Sequence, residues 1–235
     1  MKNKYLLLGF ALLLASCGET PSESIVESSN IEESSTVDTS MAELNAEIEL
    51  LNNADNPYTI RDSVTIMKDG TIYLSTFSRI EYDSTNGIYY TIYQENGYAD
   101  LNNNSSYYSS SKTTYYDGYD SYTLDSDDMY VIKEEAKEIK DLEIGFDFSL
   151  VENFSLSKEG FKNVLSGVVK AANANSFLSK QGKDISDIEF KSYSNGETLQ
   201  ELEFRYVQNG FTVVRSIEYT YLNVTLVLPK NIKKF

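Results

Sequence analysis

The side chains that most often carry catalysis or hold metals are scarce in this 235-residue chain. It contains no histidine, which removes the most frequent general base, every Ser-His or Cys-His nucleophile pair and the commonest zinc ligand. Its single cysteine, Cys17, has no partner for an intramolecular disulfide and cannot by itself build a cysteine-rich metal site. Thirty-six Asp and Glu residues leave room for the carboxylate pair of a glycoside hydrolase, but no spacing singles out two of them. Acids that solvate a surface are the plainer reading. Asp125-Ser126-Asp127-Asp128 offers oxygens that suit Ca²⁺, yet it lacks the glycine and distal glutamate of a calcium-binding hand, so a solvated turn is favoured. No glycine-rich phosphate loop follows an expected strand. The chain therefore reads as a non-enzyme with no cofactor and no metal.

Tyrosine is the abundant chemistry. Eleven of the nineteen tyrosines fall between Tyr89 and Tyr130. If this stretch is β-strand, the adjacent pairs Tyr89-Tyr90, Tyr107-Tyr108 and Tyr115-Tyr116 point to opposite faces. An amphipathic ring suits a sheet that is wet on one side, and it equally suits a lined cavity or a sticky outer face.

The elements that must position these rings are legible from periodicity. Ser40-Met41-Ala42-Glu43 fits a capping box, and Met41, Leu44, Ile48 and Leu51 recur at helical spacing until Asn52, Asn53 and Pro57. The period then changes to two: Val64 and Ile66, Ile72 and Leu74, Ile80 and Tyr82, and Ile88-Tyr90-Ile92 alternate. Asp69-Gly70, Asn86-Gly87 and Asn96-Gly97 stand between the runs as hairpin turns. The antiparallel meander continues past Asp117-Gly118 to Ile132, with Ser109 to Ser111 readable as a loop. A short charged helix is expected from Lys133 to Asp141. A longer one is expected from Ser157, because Phe161, Val164, Leu165, Val168, Val169 and Ala172 form one apolar face that Phe177 and Leu178 extend up to Gly182. Gly160 and Gly167 weaken that helix by roughly 1 kcal/mol each, so it needs a sheet to rest on or is meant to move. Four strands close the chain: Ile188 to Tyr193, Leu199 to Val207, Phe211 to Tyr219 and Leu222 to Leu228. Asn195-Gly196 and Asn209-Gly210 are turns, and Pro229 is a stop.

The amino terminus gives Cys17 a role. Met1-Lys2-Asn3-Lys4 is a basic start, and Tyr5 to Leu14 is an apolar run that spans only about half of a ~30 Å hydrocarbon layer, as a secretion signal does. Leu14-Ala15-Ser16-Cys17 followed by Gly18 resembles the lipobox of bacterial lipoproteins. That resemblance implies cleavage after residue 16, acylation of Cys17 with diacylglyceryl and palmitate-type chains, and attachment to a membrane on its extracytoplasmic side. Two or three acyl chains hold durably where one does not. Without residues 1–16 the chain keeps 18 basic against 36 acidic side chains. So acidic a protein is a poor ligand for nucleic acid. Gly18 to Ser40 is Ser, Thr and Glu with few bulky apolar residues, so it reads as a disordered tether that holds the domain some 25 Å or more from the membrane. Residues 41–235 are long enough for one domain with a real core.

The order helix, meander, helical insertion and closing strands resembles the LolA-like group, including lipoproteins of the LppX and LprG type. The resemblance covers roughly Met41 to Leu228, and "YLNVTLVLPKNI" is similar to the final strand and proline of such proteins. It implies an α+β fold: a strongly curved antiparallel half-barrel with helices packed on its concave side and lipid held between. Val164, Leu165, Val168 and Phe177 would then face the sheet, and Ile72, Leu74, Ile88, Tyr90, Ile92, Phe204 and Val213 would form the opposite wall. Filled by side chains, the same positions make an ordinary core.

The leading expectation is a monomeric, membrane-anchored lipoprotein that binds a lipid or another apolar ligand and passes it between membrane and envelope. The alternative is an adhesin-like interaction protein with a solid core. It would meet an envelope or cell-surface partner through the tyrosine-rich stretch from Tyr107 to Tyr122.

Overall fold

The computed structural model describes residues 41–100, 103–117, 119–124, 130–135, 145–179 and 182–233. Cys17, the signal segment, the tether and the Asp125–Asp128 turn lie outside the described residues.

The first element is the expected helix, α1 (Met41–Asn52). Leu44, Glu47, Ile48 and Leu51 share its inner face, at i, i+3, i+4 and i+7, while Met41 is exposed. The helix stops because two asparagines answer its last carbonyls. Asn52 Nδ2 donates to Ile48 O at 2.9 Å and Asn53 Nδ2 to Glu49 O at 3.1 Å.

Twelve strands follow in a single sheet that is antiparallel except at its last member. They are β1 (Thr59–Lys68), β2 (Thr71–Asp83), β3 (Ile88–Asp100), β4 (Asn103–Tyr116), β5 (Asp120–Leu124), β6 (Tyr130–Glu135), β7 (Val151–Glu159), β8 (Lys162–Val169), β9 (Ile188–Ser194), β10 (Leu199–Gln208), β11 (Phe211–Thr220) and β12 (Ile232–Lys233). A single turn of helix, α2 (Ala174–Phe177), sits between β8 and β9. The spatial order is β12-β6-β5-β4-β3-β2-β1-β11-β10-β9-β8-β7, so the sheet is two meanders joined where β1 pairs with β11. The sheet is open, with β7 at one end and β12 on β6 at the other. The architecture is largely β; the α+β expectation overstates the helices.

Several turns follow from residue type. Asp69-Gly70 and Asn209-Gly210 are two-residue loops with both φ values positive (+50° and +78°, +51° and +80°), the mirror-image geometry that suits the twist of paired strands.

Five readings of the sequence differ from the structure. The helix from Ser157 to Leu178 is instead the β7–β8 hairpin, turned at Gly160-Phe161 with Gly160 at φ +61°. Val164 and Leu165 are both buried on opposite faces of β8, so its apolar residues do not alternate, and helical spacing is then satisfied by accident. Helix survives only at residues 171–177. Of the charged helix, Lys133 to Glu135 are strand in β6, and residues 136–141 lie outside the described residues. Asn96-Gly97 is no turn but the interior of β3, where a Cβ on Gly97 would stand 2.6 Å from the Tyr73 carbonyl oxygen. Leu222 to Leu228 joins no strand, because β11 already has β1 and β10 on its two sides. Ser109 to Ser111, readable as loop, are strand.

The core belongs to the second meander. One face of β7–β11 and β1 is covered by α1, α2 and residues 145–150. There Phe146 stacks on Phe177, and both rings meet Phe204, with centroid separations of 4.6–5.5 Å. Two polar contacts are built into this face. Glu47 of α1 accepts from Asn163 Nδ2 and Ser194 Oγ, both at 2.6 Å, which locks the helix onto β8 and β9. Arg215 of β11 grips Asp62 of β1 with two hydrogen bonds of 2.9 and 2.7 Å, and its guanidinium lies 5.3 Å from the Phe146 ring centre.

Candidate functional site

The first meander is built differently. Among the described residues neither helix nor second sheet packs on β2, β3 or β4, and the buried side chains of those strands are Glu81, Asp83 and Thr114, all polar. Such a single layer must be held by cross-strand pairs, each contributing roughly 0.2–1 kcal/mol. Its sequence supplies them. On one face Tyr82, Tyr89 and Tyr116 stand in register across three strands, with Tyr82 and Tyr89 stacked at 4.5 Å. Beside them Thr91, Thr114 and Thr123 form a second row, in which the Thr114 and Thr123 hydroxyls are 3.2 Å apart. On the opposite face Tyr90, Tyr115 and Tyr122 make a third row, Tyr90 and Tyr115 lying 5.0 Å apart. Toward the far end Phe211, Tyr73, Tyr98 and Tyr107 form a chain of ring contacts at 5.3–5.8 Å.

Carboxylates fix the orientation of several rings. Tyr93 and Tyr108 both donate to Glu95, whose carboxyl is held below the usual carboxylate range by the Tyr108 hydroxyl first and the Tyr93 hydroxyl second. Burial, then Glu95, pushes the Tyr93 phenol up to about 12. Tyr122 donates to Asp117 at 2.5 Å and is likewise pushed up to about 12, by burial and then by Asp117. These phenols are therefore neutral donors at physiological pH, and Glu95 is charged. Asp83 closes the β2–β3 loop: it accepts the backbone N–H groups of Thr85 and Asn86, the Asn86 amide and, from the carboxy-terminal segment, the N–H of Leu226 at 2.9 Å. The Leu226 N–H is the largest of the effects that hold its carboxyl below the ordinary range.

Of these tied rings Tyr93 stays exposed, whereas Tyr122 is buried. Tyr107 is 65% exposed and Tyr119, in the β4–β5 turn, 83%. Such a surface can stack on flat partners and exchange hydrogen bonds through hydroxyls and amides. Among the described residues no group of three or more Cys, Asp or Glu is placed to hold a metal ion. No helix among them is long and apolar enough to cross a membrane.

The residues expected to line a ligand chamber do not share one. Leu165, Phe177, Phe204 and Val213 meet in the core cluster, where they fill space. Val164 and Val168 stand on the other face of β8. Tyr90, Ile92 and Ile88 share one face of β3 by register, Leu74 pairs toward the other, and Ile72 is exposed at the start of β2. A cleft is present elsewhere, between the end of α1 and the sheet, with a cavity volume of about 140 Å³. Leu51, Ile60, Phe148 and Leu202 give it an apolar floor, and Asp55 and Tyr221 a polar rim. None of the expected lining residues reaches it. The one sequence signal for it is Phe146-Asp147-Phe148, an aromatic pair in a segment with no periodicity.

No protein-family model and no curated protein matches the chain. Among solved structures, a porin-like protein from Bacteroides uniformis is similar at a TM-score of 0.28 and 11% sequence identity, over 72% of this chain and 99% of that one.

Proposed function

We propose that this chain is a membrane-anchored, adhesin-like interaction protein: acylated at Cys17, held off the membrane by the acidic tether, and meeting a partner surface through the tyrosine rows of β2–β5. One observation carries the reading. Among the described residues the tyrosine-rich strands β2–β4 bury no apolar side chain, while apolar burial is concentrated in the second meander. A sheet half that buries little apolar surface contributes little to stability, and its rings are free to be spent on recognition. The test is adherence of cells displaying the full chain, at equal surface amounts, with Tyr93→Ser or Tyr107→Ser on opposite faces. Loss of adherence in one variant supports the reading and names the face; full adherence in both refutes it.

The apolar cleft beside α1 favours a second reading, that of a lipoprotein whose curved LolA-like half-barrel holds an apolar ligand against helices on its concave side. Its ~140 Å³ falls short of the roughly 300–1,000 Å³ of ordinary ligand pockets. Native mass spectrometry of residues 41–235 purified without detergent decides it: bound lipid near one-to-one stoichiometry supports carriage, and a clean apo mass counts against it.

A further inference from the structure

The sheet has three unpaired stretches of strand edge among the described residues, and they differ in how they are protected. At one end β7 carries a bulge between Glu152 and Ser155, with Asn153 at φ +58°, and the charges Glu152, Lys158 and Glu159. At the other, β12 caps the start of β6, whose remaining edge is Lys133-Glu134-Glu135 in sequence. Bulges and charges are the usual devices that keep edges from pairing. The third stretch lies inside the sheet order. β5 covers only Thr114, Tyr115 and Tyr116 of β4, because the β5–β6 hairpin turns back at Leu124 and Tyr130. Eleven of the 14 residues of β4, numbers 103–113, pair with no described strand on this side, while on the other side 107–113 and Asn103 pair with β3.

This overhang is about 37 Å long at ~3.4 Å per residue. It reads Asn-Asn-Ser-Ser-Tyr-Tyr-Ser-Ser-Ser-Lys-Thr: no proline, no acid, and one cation, Lys112, in a chain of net charge −16. Its pairing with β3 is regular from Tyr107 to Thr113, and the register shifts beyond that, between Tyr98 and Asp100 opposite the Asn103 end.

We infer that the β4 overhang is a strand-acceptor edge whose occupant is a second copy of this chain, the two β4 strands pairing antiparallel about a two-fold axis to make one continuous sheet. This rests on the interaction reading and names a partner for it. Self-pairing is the arrangement that charge allows. Two copies of so acidic a protein repel, and residues 103–113 carry no carboxylate of their own, while the nearby Glu95 of β3 is already held by the Tyr93 and Tyr108 hydroxyls. Centred on Tyr108, every overhang residue finds a partner: Tyr107 falls opposite Ser109, and Lys112 opposite position 104 rather than its own copy. The arrangement is isologous and consumes both free edges, so it closes at the dimer.

Sedimentation velocity of the full chain carrying Cys17→Ser, in density-matched detergent over about 1–100 µM, tests this. The comparison is the same chain with Ser109→Glu and Ser111→Glu. Both serines are exposed, so the fold, checked by circular dichroism, is kept while four carboxylates enter the joint. The expected result is a dimer whose dissociation constant rises at least about tenfold in the double variant. Phe161→Glu, on the distant and fully exposed β7–β8 turn, should leave it unchanged. A monomer throughout, a dimer indifferent to the two glutamates, or one abolished by Phe161→Glu overturns the inference. Adherence is measured separately on the tyrosine variants, so either proposal can fail while the other stands.

Discussion

The Asp62–Arg215 pair joins β1 to β11, the seam at which the two meanders become one sheet, and its geometry allows a quantitative prediction. Only 13% of the Arg215 side chain and 12% of that of Asp62 are exposed, so little water would replace a missing partner. Removing one member leaves an uncompensated charge in a nearly dry site, which costs about 3–5 kcal/mol, whereas replacing both with apolar residues of similar size is near neutral or stabilising. Arg215→Met should therefore lose a large part of a total stability of about 5–15 kcal/mol. At an m-value of about 2 kcal/mol per molar urea that is a midpoint lowered by about 1.5–2.5 M. Asp62→Leu should do similar harm, and the double variant should recover most of the loss. Urea unfolding followed by tyrosine fluorescence and far-ultraviolet circular dichroism measures all four corners of the cycle. Additive losses in the double variant would refute the reasoning, since the pair would then be two independent packing contributions and not a mutually compensated charge pair.

Three further outcomes are expected. Asp83 has a folded pKa below its unfolded value of about 3.9, so the unfolded chain binds the extra proton first. Its contribution is complete above about pH 4 and lost as pH falls through the lower folded value. Asp83→Asn should flatten the pH dependence of urea midpoints in that acidic range and speed exchange of the Leu226 amide; an unaltered slope would contradict this. Gly97→Ala drives a methyl into the Tyr73 carbonyl, so melting should show a loss of about 1–3 kcal/mol with weakened near-ultraviolet tyrosine signals. Glu47→Ala strips the Asn163 amide and the buried Ser194 hydroxyl of their acceptor, at about 1–3 kcal/mol for each group left unpaired, and chemical denaturation should show Glu47→Gln to be milder.

What was legible in the sequence depended on whether a signal was local. Asp69-Gly70 and Asn209-Gly210 specify their turns through residue type alone, because both positions need positive φ. Asn96-Gly97 carries the same dipeptide and is overruled, since β2 presses its backbone against Gly97 and favours a residue without a side chain in a continuous strand. The Val164–Val169 run misled because a strand buried on both faces shows no alternation, and over so few residues a helical period fits equally well. The single-layer character of β2–β4 could not be read at all: alternating tyrosines look the same whether one face is covered or neither is.

The sequence by itself determined the acid excess, the scarcity of catalytic side chains, α1, and the antiparallel hairpins, all of which depend on composition or on residues a few positions apart. Only the tertiary structure decided that the apolar surface gathers in the second meander, that Asp62 meets Arg215 and Glu47 meets Ser194, and that β4 outruns β5. Those outcomes depend on which strand lies beside which. Backbone hydrogen bonding is indifferent to that choice until burial and cross-strand partners across 147 and 153 positions of chain select one arrangement.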